Sequence, residues 1–170
     1  MAYKVPEGQR GLIPGPAREL VEAGVNDAEL RSVMFYTGHG SELLNFSKGL
    51  RRVEPATEEL ADNLSAYIDK MPGVGGDVYR GERTLANAQA RWPVGEIVTQ
   101  GRFTSTSFDP ENAGKFGKVR LVIDANGQGA EIVASHFQGE EEVLFKPGTR
   151  FKVEKHQGQD IHLKALPDQP

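Results

Sequence analysis

Residues 138–148 read QGEEEVLFKPG, in which three consecutive glutamates run directly into the apolar triplet VLF. The triplet predicts a strand buried on both faces, followed by a turn at KPG. Because side chains alternate along a strand, Glu140 and Glu142 project to one face and Glu141 to the other. Two carboxylates therefore share one surface at the entrance to a core strand. Solvated glutamates are common at such entrances, so the spacing alone does not establish catalysis.

Segments of similar character surround this stretch from residue 76 onward. They are short, rich in β-branched and aromatic residues and separated by turn formers, and they read DVYRG, EIVTQG, RFTSTSF, KVRLVID, AEIVAS and RFKVEK. A small helix is predicted among them over residues 110–116, with Asp109 as its cap and Pro110 at its first position. The second half of the chain is therefore predicted to be rich in strands.

The first half of the chain predicts helices. Residues 1–16 are dense in proline and glycine and predict an irregular lead-in. Apolar residues at helical spacing over residues 17–34 then predict two short helices, interrupted at Gly24 and Asn26.

A longer helix is predicted from a cap at Thr57 to the residue before Met71. Helices followed by strands indicate the α+β class. We expect one domain over residues 17–170, with a helical part at 17–72 and a strand-rich part at 76–164.

The composition narrows the class of protein. The 170 residues carry a formal net charge of -4, which gives no global support to a large nucleic-acid footprint. The chain has no cysteine, so disulfides, thiolate nucleophiles and cysteine-ligated zinc are excluded. The four histidines lack metal-ligand spacing, and we expect no metal. No apolar run approaches the roughly 18 residues of a membrane span, and the opening residues do not resemble a secretory signal.

Two other stretches carry polar groups within predicted strands. In VYRG, Arg80 stands among apolar and aromatic neighbours, where an unpaired guanidinium is costly to bury and needs an anionic partner. In FTSTSF, the hydroxyls of Ser105, Thr106 and Ser107 lie between aromatics and can bond to backbone or side chains. Taken alone, Arg80 is explained by a structural ion pair. The three hydroxyls, taken alone, are explained by an edge strand rich in hydroxyls.

Taken together and in this order, the three stretches resemble a known family. A strand arginine, then F-x-S-T-S, then E-x-E before V-L-F-x-P-G-x-x-F is similar to the pattern of mono-ADP-ribosyltransferases related to clostridial binary toxins and vertebrate ectoenzymes. The resemblance spans roughly residues 36–151. It implies an α+β fold with two roughly perpendicular sheets, antiparallel or mixed, and a helical N-terminal flank.

The resemblance implies roles for the two glutamates toward NAD, the co-substrate of the family. Glu142 matches the glutamate that hydrogen-bonds the ribose 2′-hydroxyl and stabilises positive charge as nicotinamide leaves. Glu140 matches the glutamate that engages the guanidinium of an acceptor arginine. Because that guanidinium is protonated at neutral pH, a carboxylate that orients it and accepts its proton is physically reasonable.

The same resemblance assigns the other motif residues. Arg80 matches the arginine that holds a phosphate or the adenylate-side ribose, and Gly81 would let the backbone approach the dinucleotide. Ser105 matches the serine that positions the catalytic glutamate. Thr106 falls in the cofactor-binding motif, although Thr106 and Ser107 are expected chiefly to support strand pairing.

Three aromatic residues are candidates at the edge of this site. Phe116 matches an aromatic that packs on nicotinamide, and Phe137 matches one that contacts the target protein, although both can equally be core residues. Tyr36 begins a Y-T-G segment that resembles the NAD-facing edge of the family fold. The remaining residues of this weaker match are Thr37, Gly38, Asn45 and Arg51.

The chain also departs from the family pattern. Binary-toxin members carry a second arginine where this chain has Gly81, and another phosphate-side arginine falls near Val119. Lys118 or Arg120 is expected to substitute, so the pyrophosphate contacts are the least defined part of the prediction.

The resemblance implies transfer of ADP-ribose from NAD to an arginine of a target protein by a bacterial toxin or effector domain. It would be secreted or injected and would act in the cytoplasm of a target cell, with an inhibitory immunity protein as a further expected partner and no membrane partner. One alternative is an NAD glycohydrolase or an enzyme that modifies nucleic acid with the same site. The other is a non-catalytic binding module.

Overall fold

The computed structural model describes residues 22–36, 55–114, 117–132 and 142–168. The chain divides into two compact units, one formed by residues 1–72 with 132–140 and the other by residues 73–131 with 141–170. The first is called the helical unit and the second the sheet unit.

The helical unit contains helix α1 (Asp27–Phe35), which begins with a capping box. Asn26 Oδ1 accepts a hydrogen bond from Glu29 N at 2.8 Å, and Glu29 Oε1 accepts one from Asn26 N at 3.0 Å. This pair satisfies two backbone donors that the first helical turn would otherwise leave unpaired. Gly24, at φ 76°, precedes the cap. The predicted break at Gly24 and Asn26 is therefore confirmed.

Helix α2 (Pro55–Lys70) is the longest helix of the described chain. It begins at Pro55, where the missing N–H of proline costs no helical bond, so the prediction that Thr57 caps it is wrong. It ends before Met71 as predicted. Its buried face includes Leu64 and Tyr67, both fully buried. At its C-terminal end, Lys70 Nζ donates to Gly24 O at 3.1 Å and to Glu29 Oε1 at 2.5 Å, which ties α2 to the start of α1.

The described residues of the sheet unit form eight strands. They are β1 (Asp77–Glu82), β2 (Ile97–Gln100), β3 (Thr104–Ser107), β4 (Val119–Asp124), β5 (Ala130–Glu131), β6 (Glu142–Phe145), β7 (Thr149–Gln157) and β8 (Asp160–Leu166). Their order is β2-β7-β8-β4-β1-β3-β6-β5, antiparallel except for the parallel pair β4 and β8. The predicted mixed α+β class is confirmed.

The family resemblance predicted two sheets, but the eight strands form one continuous hydrogen-bonded order. β1 and β4 pair along six residues, from Asp77 with Asp124 to Glu82 with Val119. The pairing of β1 with β3 is shorter, with Tyr79 opposite Ser107. The two sheets expected from the family resemblance are thus two halves of one hydrogen-bonded strand order, which meet between β1 and β3.

The sheet unit also contains two short helices, α3 (Leu85–Arg91) and α4 (Pro110–Gly114). Helix α4 confirms the prediction at residues 110–116, and Asp109 Oδ1 accepts from Glu111 N at 2.9 Å as its cap. Helix α3 had not been predicted. Its signal was the spacing of Leu85, Ala88 and Trp92 along an alanine-rich segment, which is too short to show a clear helical period.

The core of the sheet unit lies between its strands and α3. Phe151 is its centre, with the ring of Phe145 at 5.3 Å and the ring of Trp92 at 5.9 Å, both edge to face. Such aromatic pairs are stabilising beyond the area that they bury. The core also contains Val78, Val119, Leu121, Ile123, Val143, Val153, Ile161, Leu163 and Ala165. The triplet VLF is fully buried, so the prediction that Glu142 leads into a core strand is confirmed.

Candidate functional site

The site forms where β3 and β6 lie side by side. The register places Ser107 opposite Glu142 and Ser105 opposite Leu144, so Ser105 is the diagonal neighbour of Glu142 on the same face. In this position Ser105 Oγ donates a hydrogen bond to Glu142 Oε1. The serine and the glutamate, 37 residues apart in the chain, are thus brought together by strand pairing.

Arg80 joins the same group from β1. Its Nη1 donates to the backbone carbonyl oxygen of Ser105 at 2.9 Å. Ser105 therefore links the other two residues, because its carbonyl accepts from the arginine while its hydroxyl donates to Glu142. The sequence could not reveal the first of these bonds, since a backbone carbonyl leaves no residue-specific signal.

The surroundings of Arg80 differ from the prediction. The side chain is exposed rather than buried, and its described bond goes to a neutral carbonyl. The expectation that burial would oblige Arg80 to pair with an anion therefore does not apply, because the side chain is exposed. Since Arg80 forms no ion pair within residues 22–36, 55–114, 117–132 and 142–168, its guanidinium can take an anion from a ligand.

Thr106 and Ser107 brace the strands around the glutamate. Thr106 is buried, and its Oγ1 donates to the carbonyl oxygen of Val143, next to Glu142, at 2.7 Å. Ser107 Oγ accepts from Asp109 N at 3.0 Å, which fixes the turn into α4. Both hydroxyls thereby support the backbone on either side of the site.

Lys118 and Arg120 come shortly after Gly117, where the segment leading into β4 passes close to the end of β1. Gly117 makes this approach possible, because an added Cβ would lie 2.0 Å from the carbonyl oxygen of Glu82. Arg120, opposite Gly81, donates from Nη2 to Asp160 Oδ2 at 3.1 Å, and its guanidinium carbon lies 5.5 Å from the centroid of the Tyr79 ring.

Arg120 is thus held by the protein, whereas Lys118 is exposed. Of the two substitutes predicted for the missing family arginine, Lys118 is therefore the one with an exposed side chain. It lies on the turn that leads into β4, next to Gly117.

The other predicted site residues belong to the helical unit or lie outside the described residues. Tyr36 is buried and follows the last residue of α1 in the helical unit. Glu140, Phe116 and Phe137 lie outside the described residues, as do Thr37, Gly38, Asn45 and Arg51. The roles predicted for all of these stay predictions.

The described residues contain neither a metal-ligand cluster nor a membrane-spanning helix. In the described ranges, no three histidine, aspartate or glutamate side chains come together as a metal site would require. Of the histidines, His156 bonds through Nε2 to Trp92 O at 2.6 Å, and His162 lies on β8. No helix in the same ranges is both long and apolar enough to cross a bilayer.

This constellation and the fold agree with comparisons to known proteins. Residues 24–168 match the family model described as NAD:arginine ADP-ribosyltransferase. The chain belongs to this family. The resemblance that was inferred from the arginine, Ser-Thr-Ser and Glu-x-Glu motifs is therefore confirmed.

Two relatives illustrate the sequence similarity. Mav of Mycobacterium avium strain 104 is 30% identical over 129 residues, which cover 74% of this chain and 16% of Mav. The NAD(+)-protein-arginine ADP-ribosyltransferase Tre1 of Serratia proteamaculans strain 568 is 28% identical over 135 residues, which cover 76% of this chain and 29% of Tre1. The chain thus spans less than a third of the length of either relative.

A solved structure illustrates the similarity of fold. The ADP-ribosyltransferase Vis, a toxin from Vibrio splendidus, in complex with agmatine, superposes with a TM-score of 0.70 at 19% identity. The match covers 98% of this chain and 88% of the Vis chain. The ADP-ribosyltransferase fold expected from the sequence is therefore confirmed.

Proposed function

We propose that this chain is a catalytic domain that transfers ADP-ribose from NAD to an arginine side chain of a target protein, with release of nicotinamide. The observation that carries the proposal is the position of Ser105 between Arg80 and Glu142. A cation for the pyrophosphate and a carboxylate for the ribose are the two groups that NAD cleavage needs, and one residue holds both.

Glu142 has the central role in this proposal. When the bond between nicotinamide and ribose C1′ breaks, its electron pair leaves with nicotinamide and the ribose develops oxocarbenium character. A carboxylate at the ribose 2′-hydroxyl stabilises that positive charge. The bond from Ser105 Oγ orients Glu142 before the substrate arrives, so little reorganisation is needed in the transition state.

Arg80 binds the pyrophosphate in this proposal. Its exposed guanidinium has planar donors that suit phosphate oxygens, and its bond to Ser105 O anchors it beside the glutamate. Gly81 lies next to it on β1 and offers a backbone without a side chain. Lys118 adds a second positive charge, in place of the family arginine that this chain lacks.

Glu140 activates the acceptor. Two residues before Glu142, it is expected to receive one proton from the acceptor guanidinium as a guanidine nitrogen forms the new bond to C1′. Phe137 contacts the target protein, and Phe116 packs on nicotinamide. The complex of Vis with agmatine, a small guanidinium compound, supports a guanidinium acceptor for this family member as well.

We further propose that the domain belongs to a secreted or injected bacterial toxin or effector and acts in the cytoplasm of a target cell. The similarity to Tre1 and to the toxin Vis supports this setting. The partners are then a target protein and an immunity protein that protects the producing cell.

The test is incubation of the chain with labelled NAD and agmatine, with nicotinamide release and ADP-ribosyl-agmatine measured separately. We expect Glu142→Gln to lower nicotinamide release by at least about 100-fold, because the neutral amide no longer stabilises the developing cation. Glu140→Gln should lose transfer to agmatine and keep slow hydrolysis. The matched control is Glu141→Gln, whose side chain is expected on the opposite face, and it should keep both activities.

Other outcomes decide between the alternatives. Free ADP-ribose as the only product, with or without agmatine and protein, would make the chain an NAD glycohydrolase. Label on added RNA or DNA would make it a nucleic-acid modifier. Unchanged NAD in every mixture would indicate a non-catalytic module and contradict the proposal.

A further inference from the structure

Strand β2 forms one end of the strand order and pairs with β7 on its inner side. Ile97, its first residue, is 52% exposed, and Val94 shortly before it is 55% exposed. Within the described part of the chain, these two are the exposed large hydrophobic side chains. Natural edge strands are usually protected by charges, proline or bulges, but β2 reads IVTQ and has neither a charge nor a proline.

Within residues 22–36, 55–114, 117–132 and 142–168, the backbone groups on the outer side of β2 have no hydrogen-bond partner. Glu96 O accepts from Val153 N at 2.9 Å, and Gln100 O accepts from Gly148 N at 2.7 Å, so these two carbonyls point inward. Backbone groups of alternate residues point to opposite sides of a strand. Ile97 and Thr99 therefore direct their N–H and C=O groups to the open edge.

Two cations of the neighbouring strand β7, Lys152 and Arg150, form a positive border along this edge. Lys152 lies opposite Ile97, and Arg150 lies opposite Thr99, so all four side chains share one face. Lys152 Nζ donates to Gly95 O at 2.6 Å, and Arg150 Nη2 donates to Pro167 O at 3.2 Å.

Both of these acceptors are neutral carbonyls. Neither cation has a carboxylate partner in the part of the chain that the structure describes. Lys152 also faces Lys164 of β8, a like-charge pair across strands that is unfavourable by itself. An acidic partner would relieve this repulsion.

We infer that β2 is a docking site for an extended acidic segment of a partner protein, which adds to the sheet as a further strand. Backbone bonds to Ile97 and Thr99 supply affinity, and apolar side chains of the segment cover Ile97 and Val94. Carboxylates of the segment reach Lys152 and Arg150. A second copy of this chain fits less well, because pairing β2 with β2 brings two positive borders together. The inference uses no residue of the proposed catalytic site.

The test uses two labelled peptides, EVEVEVE and its basic counterpart KVKVKVK, with binding to the whole chain measured by fluorescence anisotropy at low salt. The glutamate peptide should bind saturably and the lysine peptide should not. Thr99→Pro removes the outward N–H and leaves the inner bonds to β7, and it should weaken binding at least about tenfold. Thr99→Val keeps that N–H and should bind as the unaltered chain does.

A charge exchange tests the border independently. Lys152→Glu should weaken binding of the glutamate peptide and permit binding of the lysine peptide. Unfolding midpoints and nicotinamide release verify that each variant is folded, since none of these residues belongs to the proposed catalytic site. If Thr99→Pro does not fold, Ile97→Glu replaces it, because it removes the apolar contact and repels the glutamate peptide without changing the backbone, and it should weaken binding of that peptide at least about tenfold.

Four results would overturn the inference. The first is no binding of the glutamate peptide, the second is equal binding of the two peptides, and the third is equal binding by the two Thr99 variants. The fourth is self-association of the chain, measured by sedimentation and abolished by Thr99→Pro, which would assign the edge to a second copy of this chain.

Discussion

Arg80 on β1 and Arg120 on β4 lie on neighbouring antiparallel strands, one position out of register, yet their surroundings differ. Arg120 receives its anion from the protein, because Asp160 accepts from its Nη2 and the Tyr79 ring lies beneath its guanidinium. Arg80 is exposed and bonded to the neutral carbonyl of Ser105. Arg120, whose charge is already compensated by Asp160, contributes to the stability of the fold. Arg80, which is linked to Glu142 through Ser105 and bonds to a neutral carbonyl, is suited to bind a phosphate of a ligand.

The largest effect that would test this comparison is expected from Arg80→Ala. If Arg80 binds pyrophosphate, the loss of charge-assisted hydrogen bonds should raise the KM for NAD by roughly 10- to 100-fold. The unfolding midpoint should stay the same, because the side chain is exposed. Steady-state nicotinamide release against NAD concentration measures the first effect and thermal unfolding the second. An unchanged KM would remove Arg80 from the site.

A second effect is expected at the residue that links the arginine to the glutamate. Ser105→Ala removes the hydroxyl bond to Glu142 but keeps the carbonyl that accepts from Arg80. We therefore expect kcat to fall roughly tenfold with little change in the KM for NAD, since a hydrogen bond to a partly exposed carboxylate contributes about 1.5 kcal/mol, the lower end of the range for charged groups. Ser105→Thr, which retains a hydroxyl, is the matched variant and should recover part of kcat. A rise in KM with constant kcat would contradict this assignment.

The reverse pattern is expected for Arg120→Ala. Its ion pair and ring contact are partly exposed, so the free energy of unfolding should fall by only about 1 kcal/mol, or roughly 2–4 °C in midpoint. The KM for NAD should stay within about twofold of the original. If instead the KM rises as strongly as for Arg80→Ala, Arg120 contacts the substrate and the contrast between the two arginines is false.

The smallest effect is expected for Asp160→Asn, which keeps the shape of the Arg120 partner and removes its charge. The loss should be about 0.5 kcal/mol or less, because surface pairs are screened by solvent. Denaturant unfolding at low salt and at about 1 M salt measures it, and the difference from the unaltered chain should vanish at high salt. A salt-independent loss would mean that the carboxylate acts by packing and hydrogen bonding alone.

Much of the fold was predictable because it depends on local patterns. The break at Gly24 and Asn26 and the cap at Asp109 mark helix starts, and the apolar triplet after Glu142 marks a core strand. Helix α3 escaped prediction because its seven residues complete fewer than two helical turns, too few for a clear periodic pattern. Thr57 was misassigned because a threonine is an acceptable cap, while Pro55 two residues earlier starts the helix equally well.

The site was predictable only as a set of residues. Motif order identified Arg80, Ser105 and Glu142, but alternation along a strand cannot reveal which strands become neighbours. The bond between Arg80 and the Ser105 carbonyl depends on the junction of β1 with β3, and it involves backbone atoms that every residue has. The burial of Arg80 was misjudged because apolar neighbours in sequence alternate between the two faces of a strand.

The sequence by itself determined the class of fold, the family and the chemical groups of the site, because these depend on residue types and their order. Tertiary structure alone decided which arginine is bound to a protein carboxylate and which is left exposed, and which strand remains at the edge. Those properties arise from pairing between segments distant in the chain, where distances of a few ångströms decide whether a charge is compensated.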